Sequence, residues 1–194
     1  MDKKEQRTLA RAQRKAMGAS ARALASAALC GRLQQLPQVQ GEAVILSYQA
    51  MPMEVTLQAF HAWAAARGIP VAFPVTGAAG AMEAYAPLPD TRWVRDGFGI
   101  LTPVPETAQH IAPQALTLIL TPCVAFDAGC HRLGQGGGYY DRYFPRCPQA
   151  MRLGIAFEAQ RLPQLRCDPH DVPLHAVQTE RTLYAPHPYR SPAK

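Results

Sequence analysis

The 194-residue chain contains no CxxC pair; Cys30, Cys123, Cys130, Cys147 and Cys167 are an odd and scattered set. That excludes a disulfide framework and a paired-cysteine zinc knuckle. Cys167-x-x-His170-Asp171 has no second pair at similar spacing, so Cys167 reads as a bystander. No apolar run approaches the roughly 20 residues of a membrane helix. The opening MDKKEQR has no apolar segment of the signal-peptide kind, which makes the cytoplasm the expected location and a membrane partner unexpected. Basic residues are not gathered into one tail, and internal repeats are absent. With 48% hydrophobic and 18% charged residues, wholesale disorder is excluded too.

What is present is enough for one domain, expected over residues 1–185 and acting as a monomer, with a loose proline-rich tail over 186–194. The net charge of +6 and pI of about 9.3 attract anions, and the spread of that charge favours a small anionic ligand over nucleic acid. Lys3, Arg7, Arg11 and Arg14 recur every three or four residues, which predicts one basic face of a solvated helix. A second helix is expected from an N-cap at Ser20, presenting Leu24, Ala28 and Leu29 to the core and stopping near Pro37. Strands are expected at 43–48 (AVILSY), 69–75, 82–86, 116–121 (LTLILT), 152–157 and 176–184. A helix over 54–67 begins at Glu54 with an apolar stripe of Leu57, Phe60 and Ala64. Residues 87–113 read as an ordered surface excursion. Strands alternating with helices imply right-handed crossovers and an α/β fold with a largely parallel sheet.

The chemistry concentrates between residues 122 and 141, where an apolar strand runs into Arg132-Leu-Gly-Gln-Gly-Gly-Gly-Tyr-Tyr-Asp141 and a helix follows. Glycines let backbone N–H groups approach an anion without an intervening Cβ. A helix N-terminus adds unpaired donors, and Arg132 adds a planar fork suited to phosphate oxygens. Asp141 would repel a phosphate unless a cation lay between them, and Mg²⁺ takes one or two carboxylates together with phosphate oxygens. Asp171, in a second loop, offers another oxygen. The Lys-Ser/Thr ending of a Walker A loop is missing. A dinucleotide fingerprint is closer, because Glu158 follows a strand about 20 residues on, but Tyr139 stands at its third glycine position.

These residues resemble the 5-formyltetrahydrofolate cyclo-ligase (5,10-methenyltetrahydrofolate synthetase) family over most of the chain, roughly from residue 3 to 182. Supporting elements beside the glycine loop are Lys3-x-x-x-Arg7, the Tyr48 to Glu54 segment, Phe73-Pro74-Val75, Gly97-x-Gly99-Ile100 and His170-Asp171-Val172. The resemblance implies a three-layer α/β/α sandwich and an enzyme that uses ATP and Mg²⁺ to convert 5-formyltetrahydrofolate to 5,10-methenyltetrahydrofolate. It implies ATP binding by Lys3, Lys4, Arg7, Arg132, Leu133, Gly134, Gln135, Gly136, Gly137, Gly138, Tyr139 and Tyr140. It implies folate contacts from Arg7, Met51, Glu54, Gln135, Gly136, Gly137, Gly138 and Tyr139, catalytic roles for Arg132 and Tyr139, and Mg²⁺ ligation by Asp141 and Asp171. Three departures stand out: Gln6, where the family usually has an apolar residue, is expected at the surface; Thr102-Pro103 replaces an acidic-proline pair; and His175 replaces an aspartate. A non-catalytic binder of phosphorylated metabolites is the alternative reading. A nucleic-acid module acting through the basic face, and then an NAD enzyme, are weaker ones.

Overall fold

The structure is a computed structural model that describes residues 1–186, so the expected tail lies outside the described residues except for Pro186. The helices are α1 (Lys3–Ala16), α2 (Ala19–Leu33), α3 (Gln58–Ala65) and α4 (Tyr139–Tyr143). The strands are β1 (Ile45–Leu46), β2 (Val71–Thr76), β3 (Met82–Pro87), β4 (Trp93–Arg95), β5 (Leu101–Pro103), β6 (Ala108–Ile111), β7 (Leu118–Pro122), β8 (Ala125–Phe126), β9 (Arg132–Leu133), β10 (Met151–Ile155), β11 (Ala176–Gln178) and β12 (Leu183–Tyr184).

One eight-stranded sheet runs in the order β12-β11-β10-β7-β1-β2-β3-β6. Strands β11, β10, β7, β1 and β2 are parallel, and antiparallel partners close both edges. Successive residues of the central strands alternate between two apolar layers. Ile45, Leu118, Leu120 and Leu153 pack with Leu29 and Leu33 of α2 and Phe60 of α3 on one face. Leu46, Ile119 and Val177 pack with Tyr143 and Phe144 on the other. A strand covered on both faces needs apolar residues throughout, which is why LTLILT reads as it does. Helices on both faces make the three-layer α/β/α arrangement. Among the described residues, no helix is long and apolar enough to cross a membrane.

Several local expectations are corrected. Helix α2 starts two residues earlier than a Ser20 cap allows, because Gly18 (φ 75°) turns the chain directly out of α1. Its buried stripe is Ala25, Leu29 and Leu33, while Leu24 is 74% exposed and Ala28 is also outside. Small alanines allow either face of this helix to pack, so periodicity alone misplaced it. Glu54 lies in a turn with Met53 at φ 68°, four residues before α3. The 87–113 excursion contributes β6 to the main sheet, and the expected last strand is a hairpin, β11–β12, turned by the Thr179 hydroxyl accepting the N–H groups of Arg181 and Thr182.

The connections position the site. From β1 the chain crosses through α3 to β2 on one side, whereas from β7 it passes through α4 to β10 on the other. Loops leaving the carboxyl ends of β1 and β7 therefore diverge, and a crevice opens between them, the usual place for a ligand in an open α/β sheet.

Candidate active site

The β7 loop enters the short hairpin β8–β9, which aims residues 134–138 over that crevice. Gly136 (φ 111°) and Gly138 (φ 65°) hold backbone conformations that side chains rarely adopt, and Gln135, Gly136 and Gly137 are exposed. Helix α4 begins at Tyr139 and has only five residues, too few aligned peptides for much macrodipole. Any anion cradle here therefore comes from the loop amides themselves.

Helix α1 is capped by Asp2, whose carboxylate accepts the N–H groups of Lys4 and Glu5 at 2.7 and 2.8 Å while Glu5 accepts the Asp2 N–H. Its apolar side seats Ala10 against Ala125, Leu133, Leu162 and Leu165, and this docking lays the basic row along the glycine loop. Arg7 Nε donates to the Gly134 carbonyl at 2.8 Å, and Arg11 Nη2 donates to Gln135 Oε1 at 2.7 Å. Gln135 Nε2 in turn donates to Glu54 Oε1 at 3.1 Å, whose other oxygen accepts the Met51 N–H at 3.0 Å. One polar chain thus links α1, the glycine loop and the β1 loop. Lys4 is exposed, and only its backbone N–H enters the cap contacts. Gln6, expected at the surface, is 4% exposed; its amide donates to the Gln164 carbonyl and accepts the Arg166 N–H, tying α1 to a loop with few partners of its own.

Arg132 is buried, and its two terminal nitrogens are engaged by the Val172 carbonyl at 2.7 Å and Asp141 Oδ1 at 2.9 Å. The same carboxylate oxygen accepts the Val172 N–H at 3.0 Å. In this arrangement Arg132 clamps the 170–172 loop to α4 rather than holding an open fork over the glycines. The clamp brings Asp141 to the residue beside Asp171. Asp171 accepts the Asp168 N–H and pairs, with Asp168, to Lys3 Nζ. Burial raises the Asp171 pKa, but the Asp168 N–H and the Lys3 ammonium outweigh it, and the net shift is downward. Ligand atoms of Asp168, His170 and Asp171 lie within 4.8 Å of one another. Oxygen donors beside an exposed glycine loop suit a hard cation such as Mg²⁺, and a lysine ammonium now sits among them. Tyr139 stands at the loop's end, edge-on to Phe98 with ring centroids 6.4 Å apart and beneath the Arg142 guanidinium. Leu133 is core, and Tyr140 packs on Phe144.

Beside the Gln135–Glu54 contact lies a cleft of about 710 Å³, lined by Tyr48, Met51, Glu54, His61, Arg95 and Phe98 among others. His61, Arg95, Phe98 and Asp168 have no place among the expected site residues. Phe98 alone carries a signal, as a large apolar residue 61% exposed between two glycines. His61 shares a 2.8 Å hydrogen bond with the fully buried Ser47, and burial lowers its pKa to about 4. His175 hydrogen-bonds the Arg152 N–H, with its pKa lowered to about 4 by burial and by the Arg152 charge. Glu158, the ribose candidate of the dinucleotide reading, instead accepts the Thr179 and Tyr184 hydroxyls. Burial raises the thiols of Cys123 and Cys130 to about 12 and about 11, and all five cysteines are free.

The glycine loop is thus joined through Gln135 to the cleft that Glu54 lines. The sequence profile of the 5-formyltetrahydrofolate cyclo-ligase family matches residues 1–180. The chain belongs to this family. It is 35% identical over 92 residues to 5-formyltetrahydrofolate cyclo-ligase of Haemophilus influenzae and 37% identical over 105 residues to that of Mus musculus. These alignments cover 46% and 50% of this chain, and the chain spans about half the length of each relative, 49% in both cases. Aquifex aeolicus 5,10-methenyltetrahydrofolate synthetase, solved by NMR, superimposes with a TM-score of 0.84 at 26% identity, covering 100% of this chain and 97% of that one. The cyclo-ligase family fold is thus shared along the whole described chain.

Proposed function

We propose that this chain catalyses the ATP- and Mg²⁺-dependent closure of 5-formyltetrahydrofolate to 5,10-methenyltetrahydrofolate, releasing ADP and phosphate. The observation that carries the proposal is the Arg11–Gln135–Glu54–Met51 chain of hydrogen bonds, which joins an exposed glycine loop to an adjoining 710 Å³ cleft at the carboxyl ends of β7 and β1. Two substrates that exchange a phosphoryl group need neighbouring sites with a shared wall. Family membership supplies their chemical class. The setting of this reading is a single domain over 1–185, acting as a cytoplasmic monomer.

A formamide carbonyl is a weak electrophile with a poor leaving oxygen. In the proposed reaction the formyl oxygen takes the γ-phosphoryl group of ATP and ADP leaves. N10 of the folate then attacks the activated carbon, its proton is lost, and the ring closes as phosphate departs with the former formyl oxygen. The residues' task is to position and to balance charge. Lys3, Arg7 and the amides of residues 134–140 hold the phosphates, with Lys4 at the rim. Met51, Glu54, Gln135 and Tyr139 face the folate, and Glu54, an acceptor only, takes N–H donors of its ring. Arg132 acts through Asp141 and the 170–172 loop, which it keeps beneath the glycines. Asp141 and Asp171 would hold Mg²⁺, which neutralises phosphate charge.

Purified protein given 5-formyltetrahydrofolate, ATP and Mg²⁺ should form the methenyl product, followed by its ultraviolet absorbance, with stoichiometric ADP. ATP binding without product across pH and divalent metals would favour the non-catalytic binder and end this proposal.

A further inference from the structure

Of the four cations on the basic face of α1, Lys3, Arg7 and Arg11 reach loop acceptors and Arg14 does not. The expectation of a solvated face fails at this residue: Arg14 is 4% exposed, and its Nε and Nη1 atoms are buried with no hydrogen-bond partner among the described residues. Two buried guanidinium nitrogens without an acceptor are a costly arrangement for a fold to carry. Burial pushes its pKa down; among the neighbouring groups Glu54 and, more weakly, Tyr48 act in its favour, while Arg11 and Arg22 oppose it.

Glu54 is also the carboxylate that lines the cleft. One of its oxygens accepts the Met51 N–H and the other accepts Gln135 Nε2. An ionised carboxylate offers about four lone-pair sites, so it retains room for a forked donor. Gln135 belongs to the glycine loop and is itself held by Arg11. Glu54 is thereby joined to the glycine loop on one side and to the β1 loop on the other. Arg14 is the unpartnered donor on that side.

We propose that Arg14 is a positioning residue for the cleft, its buried fork closing on Glu54 so that this carboxylate is fixed against the N–H-donor edge of the bound heterocycle. The amino-pyrimidinone edge of a tetrahydrofolate is a donor edge of that kind. The inference rests on the cleft being the folate site of the reaction proposed above.

The test compares wild type with Arg14→Met, Arg14→Lys, Glu54→Gln and the Arg14→Met/Glu54→Gln double variant, each measured for thermal stability, ATP affinity and kinetics with 5-formyltetrahydrofolate. Arg14→Met should raise KM for the folate by roughly 10- to 100-fold, the range of one lost charge-assisted hydrogen bond. ATP affinity should stay within about twofold and kcat should change little, because phosphates and reacting atoms are untouched. Thermal stability should not fall, since an apolar side chain replaces an unpaired buried charge. Arg14→Lys should restore part of the KM, and the double variant should be no worse than Glu54→Gln. A normal folate KM in Arg14→Met, or full additivity with Glu54→Gln, overturns the assignment. If Arg14→Met is unstable, Arg14→Lys decides: a stable lysine variant with wild-type folate KM shows that the fork has no role. Absence of turnover in the wild type sinks the proposed reaction and this inference with it; wild-type turnover beside a normal Arg14→Met sinks only the inference.

Discussion

Asp141 shows how one carboxylate can have two duties. Its Oδ1 closes a clamp with Arg132 and the Val172 N–H, and its charge lies next to the loop where phosphates are proposed to bind. The two duties separate under substitution. Asp141→Asn keeps an oxygen for both hydrogen bonds and removes the charge, so denaturant midpoints should stay near wild type while turnover falls by about 100-fold or more. Asp141→Ala strips the partner from an Arg132 side chain only 5% exposed and should cost roughly 2–3 kcal/mol. Near-normal kinetics in the asparagine variant would remove Asp141 from the chemistry. Asp141 was singled out from sequence because a carboxylate beside a phosphate-type loop would repel an anion unless a cation lay between them. Asp168 was not, because nothing near it in the chain shows that Lys3 folds back onto it.

The glycine loop illustrates the scale of the element. Gly138 is the residue before α4 and sits at φ 65°, and a Cβ there would approach Arg142 Nη1 to 2.8 Å. Arg142 in turn donates to the carbonyls of Gly137 and Gly80, stapling the loop to the turn before β3. Gly138→Ala therefore carries about 1–2 kcal/mol of left-handed strain and displaces a staple. A lower melting temperature and an ATP KM raised by about tenfold are expected, the latter equal to roughly 1.4 kcal/mol of lost binding. Unchanged ATP kinetics would mean that the loop's shape is immaterial to the nucleotide. The run of glycines announced a close backbone approach to something. That the following helix is a mere five residues came only with the fold.

At the scale of the whole molecule, histidines buried in the neutral form link stability to acid. His61 on α3 pairs with Ser47 just beyond β1, His175 pairs with the β10 backbone, and both have pKa values lowered to about 4. The unfolded chain binds protons on these groups from about pH 6.5 downward and the folded chain does not, so stability is lost as pH falls from about 6.5 towards 4. The slope is at most about 1.4 kcal/mol per pH unit for each group. Asp171, with its pKa lowered, adds to the loss further down: its contribution is complete above about pH 4, the ordinary carboxylate value, and fades as pH falls through the lowered one. Denaturation in urea between pH 7 and 4.5 should show this slope, and His61→Gln should flatten it by about half. An unaltered slope in that variant would place the acid sensitivity elsewhere.

The alternation of helices and strands, the parallel centre of the sheet and a glycine loop ahead of a helix were readable from the chain because each depends on neighbours a few residues apart: apolar runs, turn residues, a cluster of glycines. The family resemblance rested on the same short-range signals. Which face of α2 is buried, why Gln6 is inside, how Arg132 comes to clamp the 170–172 loop, and that two nitrogens of Arg14 are buried without an acceptor among the described residues were decided by tertiary structure alone. Periodicity assigns a side chain to a face, but burial and hydrogen bonding depend on what that face meets, and those partners lie up to 168 residues away along the chain.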